Sequence, residues 1–449
     1  MKIIVKKWVA IVILTMTVSN AFAQFKISGE VRPRAEYRHG YKTLSEPNSQ
    51  NAMFIDQRTR LSFDYKKNRI ALKVTLQDVR TWGSQKQMVG NEDFGSSIHE
   101  AWGLVKLTDS VSLKFGRQEL SYDDQRILGS VGWVQQARSH DAFLIKWKNG
   151  KFKMDVGGAY NQDSPKLNTT NYTVGGSYKA LQYLWVNYKP SENINASALA
   201  MSVGQQVNYV NASGVNRYQD NYTLTAGTRF VYKKDRLGLA FNGYYQMGSS
   251  KTWPAIDVSA YNLCLDFSYR IINPLKVTLG FEMLSGNSQT DTTEKYNIVH
   301  HAFNPYFGTN HKFNGYMDYF YVGNHNGNVG LNDFYLRFDY KHDKFIAGLT
   351  THAFIANADV LNHQEVIQTG TIEAMNSYLG TEIDMFGSFK LAPGATCKLG
   401  YSHLLGTATM EALKGGNPNE VSNWAYLMVT LKPTLFKQKT DDKMKIDTK

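Results

Sequence analysis

Beyond its amino end the sequence lacks any apolar run near the roughly 18 to 20 residues that a membrane-spanning helix needs. Its mean hydropathy is low, as in a soluble protein, but membrane barrels are built from short alternating strands that give a weak hydropathy signal. Cysteine is almost absent, since only Cys264 and Cys397 occur. Cys264 shares the parity of polar neighbours, and Cys397 shares the parity of apolar neighbours. We therefore expect the two on opposite faces of a sheet, where a disulfide between them is geometrically difficult.

Motifs for several function classes are also missing. There is no Walker-type phosphate loop, and the basic residues form no recognisable nucleic-acid-binding module. Ser139, His140 and Asp141 are consecutive, so on a strand their side chains alternate and cannot form a catalytic triad. The adjacent histidines His300 and His301 do not match a compact metal-ligand spacing, even with His311 nearby. We therefore predict no enzyme activity, no metal, no cofactor and no nucleic-acid partner.

What the sequence does contain is strict alternation. Between residues 26 and 38 one parity is charged or small and polar, while the other is largely apolar, and residues 55 to 65 repeat the pattern. A strand with this period has one polar and one apolar face. So much charge on one face suits a water-filled lumen rather than a packed core.

The amino end has the features of an export signal. Three lysines precede an apolar run from Trp8 to Met16, and Ala21-Phe22-Ala23 follows. This pattern predicts a cleavable signal peptide at residues 1–23. Cleavage would leave 426 residues and lower the formal charge from +12 to +9, because three lysines are lost. We expect a basic mature protein in the outer membrane of a Gram-negative bacterium.

Continuing the alternation gives an all-β fold, a transmembrane antiparallel β-barrel of about 18 strands over residues 24–436, with a polar tail at 437–449. Short turns and long loops alternate between the strands. Barrels of this kind place short turns in the periplasm and long loops outside the cell. The predicted strands are 25–38, 53–65, 69–81, 97–107, 111–119, 140–148, 151–160, 178–188, 194–203, 221–232, 237–247, 258–271, 275–285, 331–341, 344–356, 378–391, 395–404 and 423–432.

Two strands do not fit the simple pattern, and one loop is unusually long. Pro33 would leave a ladder hydrogen bond unmade in the first strand. In the third strand Asp78 and Arg80 fall on the same face as the apolar residues that precede them. This predicts a bulge or the rim of the barrel at that point. The loop at 286–330 is long enough for a role of its own, and we hypothesise that it folds inward and narrows the pore.

Residues 116–141, from the end of the fifth strand to the start of the sixth, carry the most specific signal, with Gly116-Arg117-Gln118, Arg126, Gly129, Trp133, Arg138 and Asp141. This segment resembles the alginate-export family of outer-membrane porins, although Asp123, His140 and Ala142 depart from the family pattern. The resemblance implies an eighteen-stranded barrel whose best-understood type is a basic conduit for a polyuronate. It also implies that the strand-loop-strand unit with Arg117, Arg126, Arg138 and Asp141 lines or shapes the pore mouth. The matching motif residues are Gly116, Arg117, Gln118, Arg126, Gly129, Trp133, Arg138 and Asp141.

Anion selection has a separate argument from the residues. Eight arginines share the polar parity of their strands, and guanidinium groups can grip a carboxylate or phosphate at two points. A ladder of such weak sites lets a solute enter without trapping it. The alternative is that Glu30, Glu36, Asp56 and Asp64 pair with these arginines and only stiffen the wall. The predicted pore-lining residues are Arg32, Arg34, Arg38, Arg58, Arg60, Arg229, Arg270 and Arg337.

Two functions follow as hypotheses. The first is a porin that gives passive passage to anionic or oligosaccharide solutes, and the second is a surface glycan-binding or adhesion barrel with a closed pore. The expected partners are outer-membrane lipid, the solute and the barrel-assembly machinery. The oligomeric state, the direction of transport and the identity of the solute are left open by the sequence.

Overall fold

In the computed structural model, residues 24–88, 96–172, 174–320, 324–325 and 327–438 are described, so the predicted signal peptide and residues 439–449 of the tail lie outside them. Eighteen strands form one closed antiparallel barrel, and two short strands, Val299–His300 and Thr434–Lys437, are added to it. In chain order the strands are β1 Gln24–His39, β2 Ala52–Lys67, β3 Ile70–Thr81, β4 Ser96–Lys106, β5 Val111–Gln118, β6 His140–Asn149, β7 Phe152–Tyr160, β8 Ala180–Tyr188, β9 Ile194–Val210, β10 Asn216–Lys234, β11 Leu237–Ser249, β12 Asp257–Ile272, β13 Leu275–Leu284, β14 Val299–His300, β15 Leu331–His342, β16 Phe345–Ile355, β17 Tyr378–Ala392, β18 Ala395–Gly406, β19 Ser422–Leu431 and β20 Thr434–Lys437.

The eighteen predicted strands each coincide with one barrel strand, so the sequence prediction of the fold is confirmed. The largest difference is the hairpin of β9 and β10, which pairs without interruption to Asn216 opposite Val210. The sequence prediction stopped these strands at 203 and began again at 221. The residues between mix polar and apolar side chains on both faces, for example Gln205 and Val207 on one face and Asn208 and Val210 on the other, so no alternation marks a strand there. A hairpin that rises above the membrane into water needs no apolar face.

The barrel closes between its first and last strands. Val31 lies opposite Leu431 and Arg34 opposite Met428, and the ladder is interrupted between them at Pro33, as expected for a residue without an N–H. On its other side β1 pairs with β2 through Pro33 without a break. After Lys432 and Pro433, β20 continues along the first half of β1.

The two faces of the wall have opposite chemistry. On β12 the outward residues Leu263, Leu265 and Phe267 are about half exposed, whereas the inward Asn262 is fully buried. Exposed apolar side chains outside and polar ones inside are the reverse of a water-soluble protein and are typical of a membrane barrel. Cys264 faces inward and Cys397 lies on the parity of the outward residues of β18, and both are free.

The irregular third strand is resolved in the way the sequence suggested. The pairing of β3 with β4 shifts register between Thr75 and Leu76, which is a bulge. Beyond it Arg80 donates to Asp78 at 2.6 Å, so these two charges satisfy each other near the end of the strand.

The short helices all lie in connections between barrel strands. They are Glu294–Asn297, His363–Thr369 and Ala408–Lys414, with a 3-10 turn at Asn310–Lys312. The Asn362 and Thr407 side chains cap two of them by accepting main-chain N–H bonds. No helix in the described part of the chain is long and apolar enough to cross a membrane.

Two connections at the long-loop end turn into the barrel. We call residues 119–139, between β5 and β6, the first inward loop, and residues 285–330, between β13 and β15, the second inward loop. Leu128 of the first loop is 1% exposed, and Met317 and Tyr319 of the second are fully buried. The second loop contains the segment for which the sequence suggested inward folding. Together the two loops place a packed core inside the lumen.

Candidate pore constriction

The two inward loops are joined to each other by main-chain contacts. Leu128 and Phe307 form a parallel bridge, the Gly129 N–H donates to the Phe307 carbonyl at 2.9 Å, and the Thr309 N–H donates to the Gln125 carbonyl at 2.9 Å. Gly129 is required at this approach, because a Cβ there would lie 2.8 Å from the Thr309 nitrogen. The loops therefore form one body across the lumen.

Arg126 ties this body to the wall. Its guanidinium lies 2.8 Å from the Glu282 carboxylate of β13 and donates to Asn310 at 3.3 Å and Asn314 at 2.9 Å in the second loop. The residue is only 2% exposed. A buried charge needs such partners. The motif residue Arg126 thus holds the two loops and the wall together.

On one side of the lumen, arginines of β1 and β2 hold the first loop. We call Arg32, Arg34 and Arg58 the arginine wall. Arg32 donates to the Gly132 carbonyl and Arg34 to the Trp133 carbonyl, each at 2.7 Å. Arg58 donates to Glu30 through Nε at 2.8 Å. Guanidinium has five donors, so one group can serve a carboxylate and a carbonyl at once.

Trp133 is packed between the arginine wall and the second loop. Arg34 lies over its ring at 4.3 Å, and the ring stacks on His311 with centroids 4.4 Å apart. Trp424 of β19 contacts it edge-on. Arg38 lies nearer the long-loop end, 34% exposed, and pairs with Glu36 at 2.8 Å.

Further around the barrel, on β13, β15 and β17, carboxylates hold the second loop. We call Glu282, Asp333, Glu382 and Asp384 the carboxylate wall, which belongs to β13, β15 and β17. The Met317 N–H donates to Glu382 at 2.8 Å, the Tyr316 N–H donates to Asp384 at 3.2 Å, and the Asn314 amide donates to Glu282 at 2.9 Å. Cationic side chains of β1 and β2 therefore hold carbonyls of the first loop, and carboxylates of β13, β15 and β17 hold N–H groups of the second loop.

The tip of the first loop reaches a third stretch of wall. Tyr122 donates to Asp155 of β7 at 2.8 Å. Asp123 accepts from the Trp185 indole at 3.0 Å and from Ser197 at 2.7 Å. Asp123 is one of the departures from the family pattern, and here it anchors the loop.

The next residue, Asp124, accepts from Arg229 of β10 and from Asn242 of β11, both at 2.6 Å. The predicted pore residue Arg229 is therefore occupied by a carboxylate of the loop. Arg229 also donates to the Asn242 side-chain oxygen at 2.7 Å.

The other predicted pore arginines have different surroundings. Arg60 donates to Gln77 at 2.8 Å and has one buried guanidinium nitrogen without a partner. Arg337 is half-buried near Thr350 and lies 5.3 Å from the Tyr335 ring. Arg270 is exposed close to the short-turn end of β12. All lie on the lumen parity, but only some face open lumen.

The remaining motif residues do not all turn inward. Arg117 lies on the outward parity and pairs with Asp141 across the strands at 2.9 Å, with 42% and 63% of the side chains exposed. Gln118 is fully buried and donates to the Ala142 carbonyl. Gly116 has a φ of +107°, which disfavours any other residue. Arg138 donates to the Gly308 carbonyl at 3.4 Å and so supports the junction of the loops.

Ser139, His140 and Asp141 each turn to a different partner. Ser139 contacts His99 at 3.2 Å, His140 contacts Tyr178 at 2.9 Å, and Asp141 contacts Arg117. Their side chains therefore do not converge. Among the described residues no cluster of three or more His, Cys, Asp or Glu side chains is arranged to hold a metal ion.

Sequence reasoning missed a second set of cations on the lumen face. We call Lys73, Lys114 and Lys146, of β3, β5 and β6, the lysine wall. Lys73 pairs with Glu100 and Lys146 with Asp155, and their side chains are 28% and 35% exposed. The Lys114 ammonium lies 4.1 Å from the Trp102 ring. The signal was present, since all three lysines sit on the polar parity of their strands.

One further cation lies at the mouth. Lys414 ends the helix Ala408–Lys414 and donates to the Asn324 carbonyl at 2.6 Å. Burial lowers the pKa of its ammonium to about 7. A proton equilibrium near neutral pH therefore accompanies the contact of Lys414 with the second inward loop.

Comparison with known proteins agrees with this architecture. A sequence profile described as alginate export matches residues 23–421. The fold is similar to Pseudomonas aeruginosa OccK9 (OpdG), with a TM-score of 0.59, 12% identity, and coverage of 93% of this chain and 100% of that one. It is also similar to P. aeruginosa OpdQ, with a TM-score of 0.58, 14% identity and coverage of 92% and 98%.

Acinetobacter baumannii OccAB4 matches with a TM-score of 0.57, 11% identity, and coverage of 92% of this chain and 99% of that one. The comparison with curated proteins found no match. The similarities to solved structures support the fold, and the match to the sequence profile covers most of the chain. The chain belongs to the alginate-export family and forms a non-enzymatic porin of the outer membrane of a Gram-negative bacterium.

Proposed function

We propose that this porin gives passive passage to small anionic solutes, including acidic saccharides, and that the lysine wall rather than the arginine wall provides its anion preference. The observation that carries the proposal is the contrast in exposure. Lys73 and Lys146 remain partly open to the lumen, whereas Arg32, Arg34 and Arg58 are 4% to 7% exposed and bound to the first inward loop. A charge that is open to the lumen can contact a passing ion directly, whereas a charge bound to the loop is already engaged.

Lys114 is the member of the lysine wall that fits this role best. Within the described part of the chain it has a contact with the Trp102 ring but no carboxylate in ion-pair distance. Lys312 of the second loop is exposed as well and donates to the main chain of the first. Several weak cationic positions along a lumen favour anions without holding them.

The test is a planar-bilayer recording of refolded protein under a KCl gradient. We expect a reversal potential in the direction of anion preference and a decrease of that preference in Lys114→Glu. The matched control is Lys344→Glu, the same charge change at an exposed turn residue between β15 and β16. A wild-type channel without anion preference, or equal effects of the two variants, would contradict the proposal. Arg58 is unsuitable as a probe, because its loss would leave the buried Glu30 without its arginine partner and would remove a contact to the first loop.

The bridging of the lumen by the two loops also favours a second candidate, the glycan-binding barrel with a closed pore. Deletion within residues 290–325 separates the two. A large rise in conductance would identify the second loop as a constriction of a porin. Loss of glycan binding with unchanged conductance would favour adhesion. Block of the wild-type current by added oligouronates would support passage of acidic saccharides.

A further inference from the structure

Asp124 is bound as a solute carboxylate would be. One of its oxygens accepts from the Arg229 guanidinium and from the Asn242 amide, both at 2.6 Å. Lys312 reaches the same residue and donates to its main-chain carbonyl at 2.9 Å. Charge-assisted bonds of this length are the strong ones in proteins.

Two of the three groups around Asp124, Arg229 and Asn242, belong to the barrel wall, whereas Lys312 belongs to the second inward loop. Arg229 and Asn242 lie opposite each other on β10 and β11, and Arg229 also donates to the Asn242 side-chain oxygen at 2.7 Å. Asn242 is 1% exposed. Arg229 and Asn242 are therefore linked to each other by a hydrogen bond that does not involve Asp124.

The backbone that delivers Asp124 is strained on both sides. Asp123 has a φ of +53° and Gln125 a φ of +71°. The left-handed region is disfavoured for residues with side chains, and it persists where surrounding contacts hold it. The carboxylates that face the site from elsewhere are otherwise engaged, since Asp123 binds Trp185 and Ser197 and Asp266 accepts from Tyr335.

We propose that Arg229, Asn242 and Lys312 form a carboxylate-binding site of the lumen that Asp124 occupies in the absence of solute. The carboxylate of a passing solute competes with Asp124 for this site. Displacement of Asp124 would also remove one anchor of the first inward loop, so solute binding and loop release are coupled. This inference rests on the proposed anion passage and adds a defined site to it.

The test is calorimetric titration of refolded, detergent-solubilised protein with glucuronate, and with glucose as the uncharged comparison. We expect Asp124→Ala to bind glucuronate at least about tenfold more tightly than the wild type, because the internal competitor is gone. Adding Arg229→Ala to Asp124→Ala should abolish the gain, and glucose should bind none of the variants. Migration of unheated samples in gels reports that each variant has folded.

The matched control is Asp123→Ala. It also removes an anchor of the loop tip, but it leaves Asp124 in the site. An equal gain in Asp123→Ala, or no gain in folded Asp124→Ala, would overturn the inference, and Asp124→Asn serves as the second variant if the alanine variant does not fold. The wild-type reversal potential tests anion preference separately. A non-selective channel in which Asp124→Ala still gains glucuronate affinity would therefore refute the proposed function but not the site.

Discussion

The arginine wall of β1 and β2 and the lysine wall of β3, β5 and β6 carry the same kind of charge on the same face of the barrel. Their surroundings differ. Arg32, Arg34 and Arg58 are 4% to 7% exposed and bind the first inward loop or Glu30. Lys73 and Lys146 keep 28% and 35% of their side chains exposed.

This difference shows that a charged lumen face does two separate tasks. Guanidinium offers several fixed donors, and it can bind loop carbonyls and a carboxylate together. An ammonium on a flexible stem is strongly hydrated and suits a wall that meets water. The arginine wall binds the first inward loop and the lysine wall stays partly open to the lumen, so a count of basic residues does not measure selectivity.

The largest effect is expected when the arginine wall is broken. Arg58→Ala leaves the buried Glu30 carboxylate with only Lys432, 3.5 Å away. Removing one partner of a buried ion pair costs about 3–5 kcal/mol. The measurement is urea unfolding in micelles. A loss below about 1 kcal/mol would mean that this wall is not a structural anchor.

A smaller effect is expected from separating the two inward loops. Gly129→Ala places a methyl group 2.8 Å from the Thr309 nitrogen, and overpacking of this kind costs roughly 1–3 kcal/mol. We expect lower unfolding free energy and faster proteolysis of both loops. Gly132→Ala is the control in the same loop, because its nearest contact would be Ser130 Oγ at 3.8 Å. Equal behaviour of the two variants would argue against a single loop body.

Mutation of the lysine wall should lower ion selectivity and leave stability almost unchanged. Lys114→Ala removes a cation that has no carboxylate partner among the described residues, and we expect it to change the unfolding free energy by less than about 1 kcal/mol. Ion selectivity should nevertheless fall in the same variant. A large stability loss would place Lys114 with the anchoring arginines and remove the contrast between the walls.

The smallest effect on stability is expected from Lys414 at the pore mouth, and it depends on pH. The folded pKa of Lys414, about 7, lies below its ordinary value of 10.5, so the unfolded chain binds the proton more tightly. Stability from this residue therefore rises with pH between about 7 and 10.5. The difference in melting temperature between Lys414→Met and the wild type should shrink across this range. A constant difference would show that the ammonium is not desolvated.

The strands and their faces could be predicted because alternation is a local property with a period of two. In the structure Arg117 shares the outward parity of Phe115, although the family resemblance had grouped it with the pore mouth. The sequence could not predict which lumen arginines bind the inward loops and which stay exposed. Arg32 is hydrogen-bonded to Gln135, 103 positions away in the sequence, and Arg126 to Asn314, 188 positions away. No local sequence pattern predicts contacts between such distant residues.

The sequence by itself therefore determined the barrel, its strand number, the inward parity of its charges and the unusual length of the second loop. Only the tertiary structure decided which of those charges meet water, which bind a loop, and that Asp124 occupies a cationic site. The physical reason is that strand faces follow from neighbouring residues, whereas burial of a charge depends on which distant segment supplies its partners.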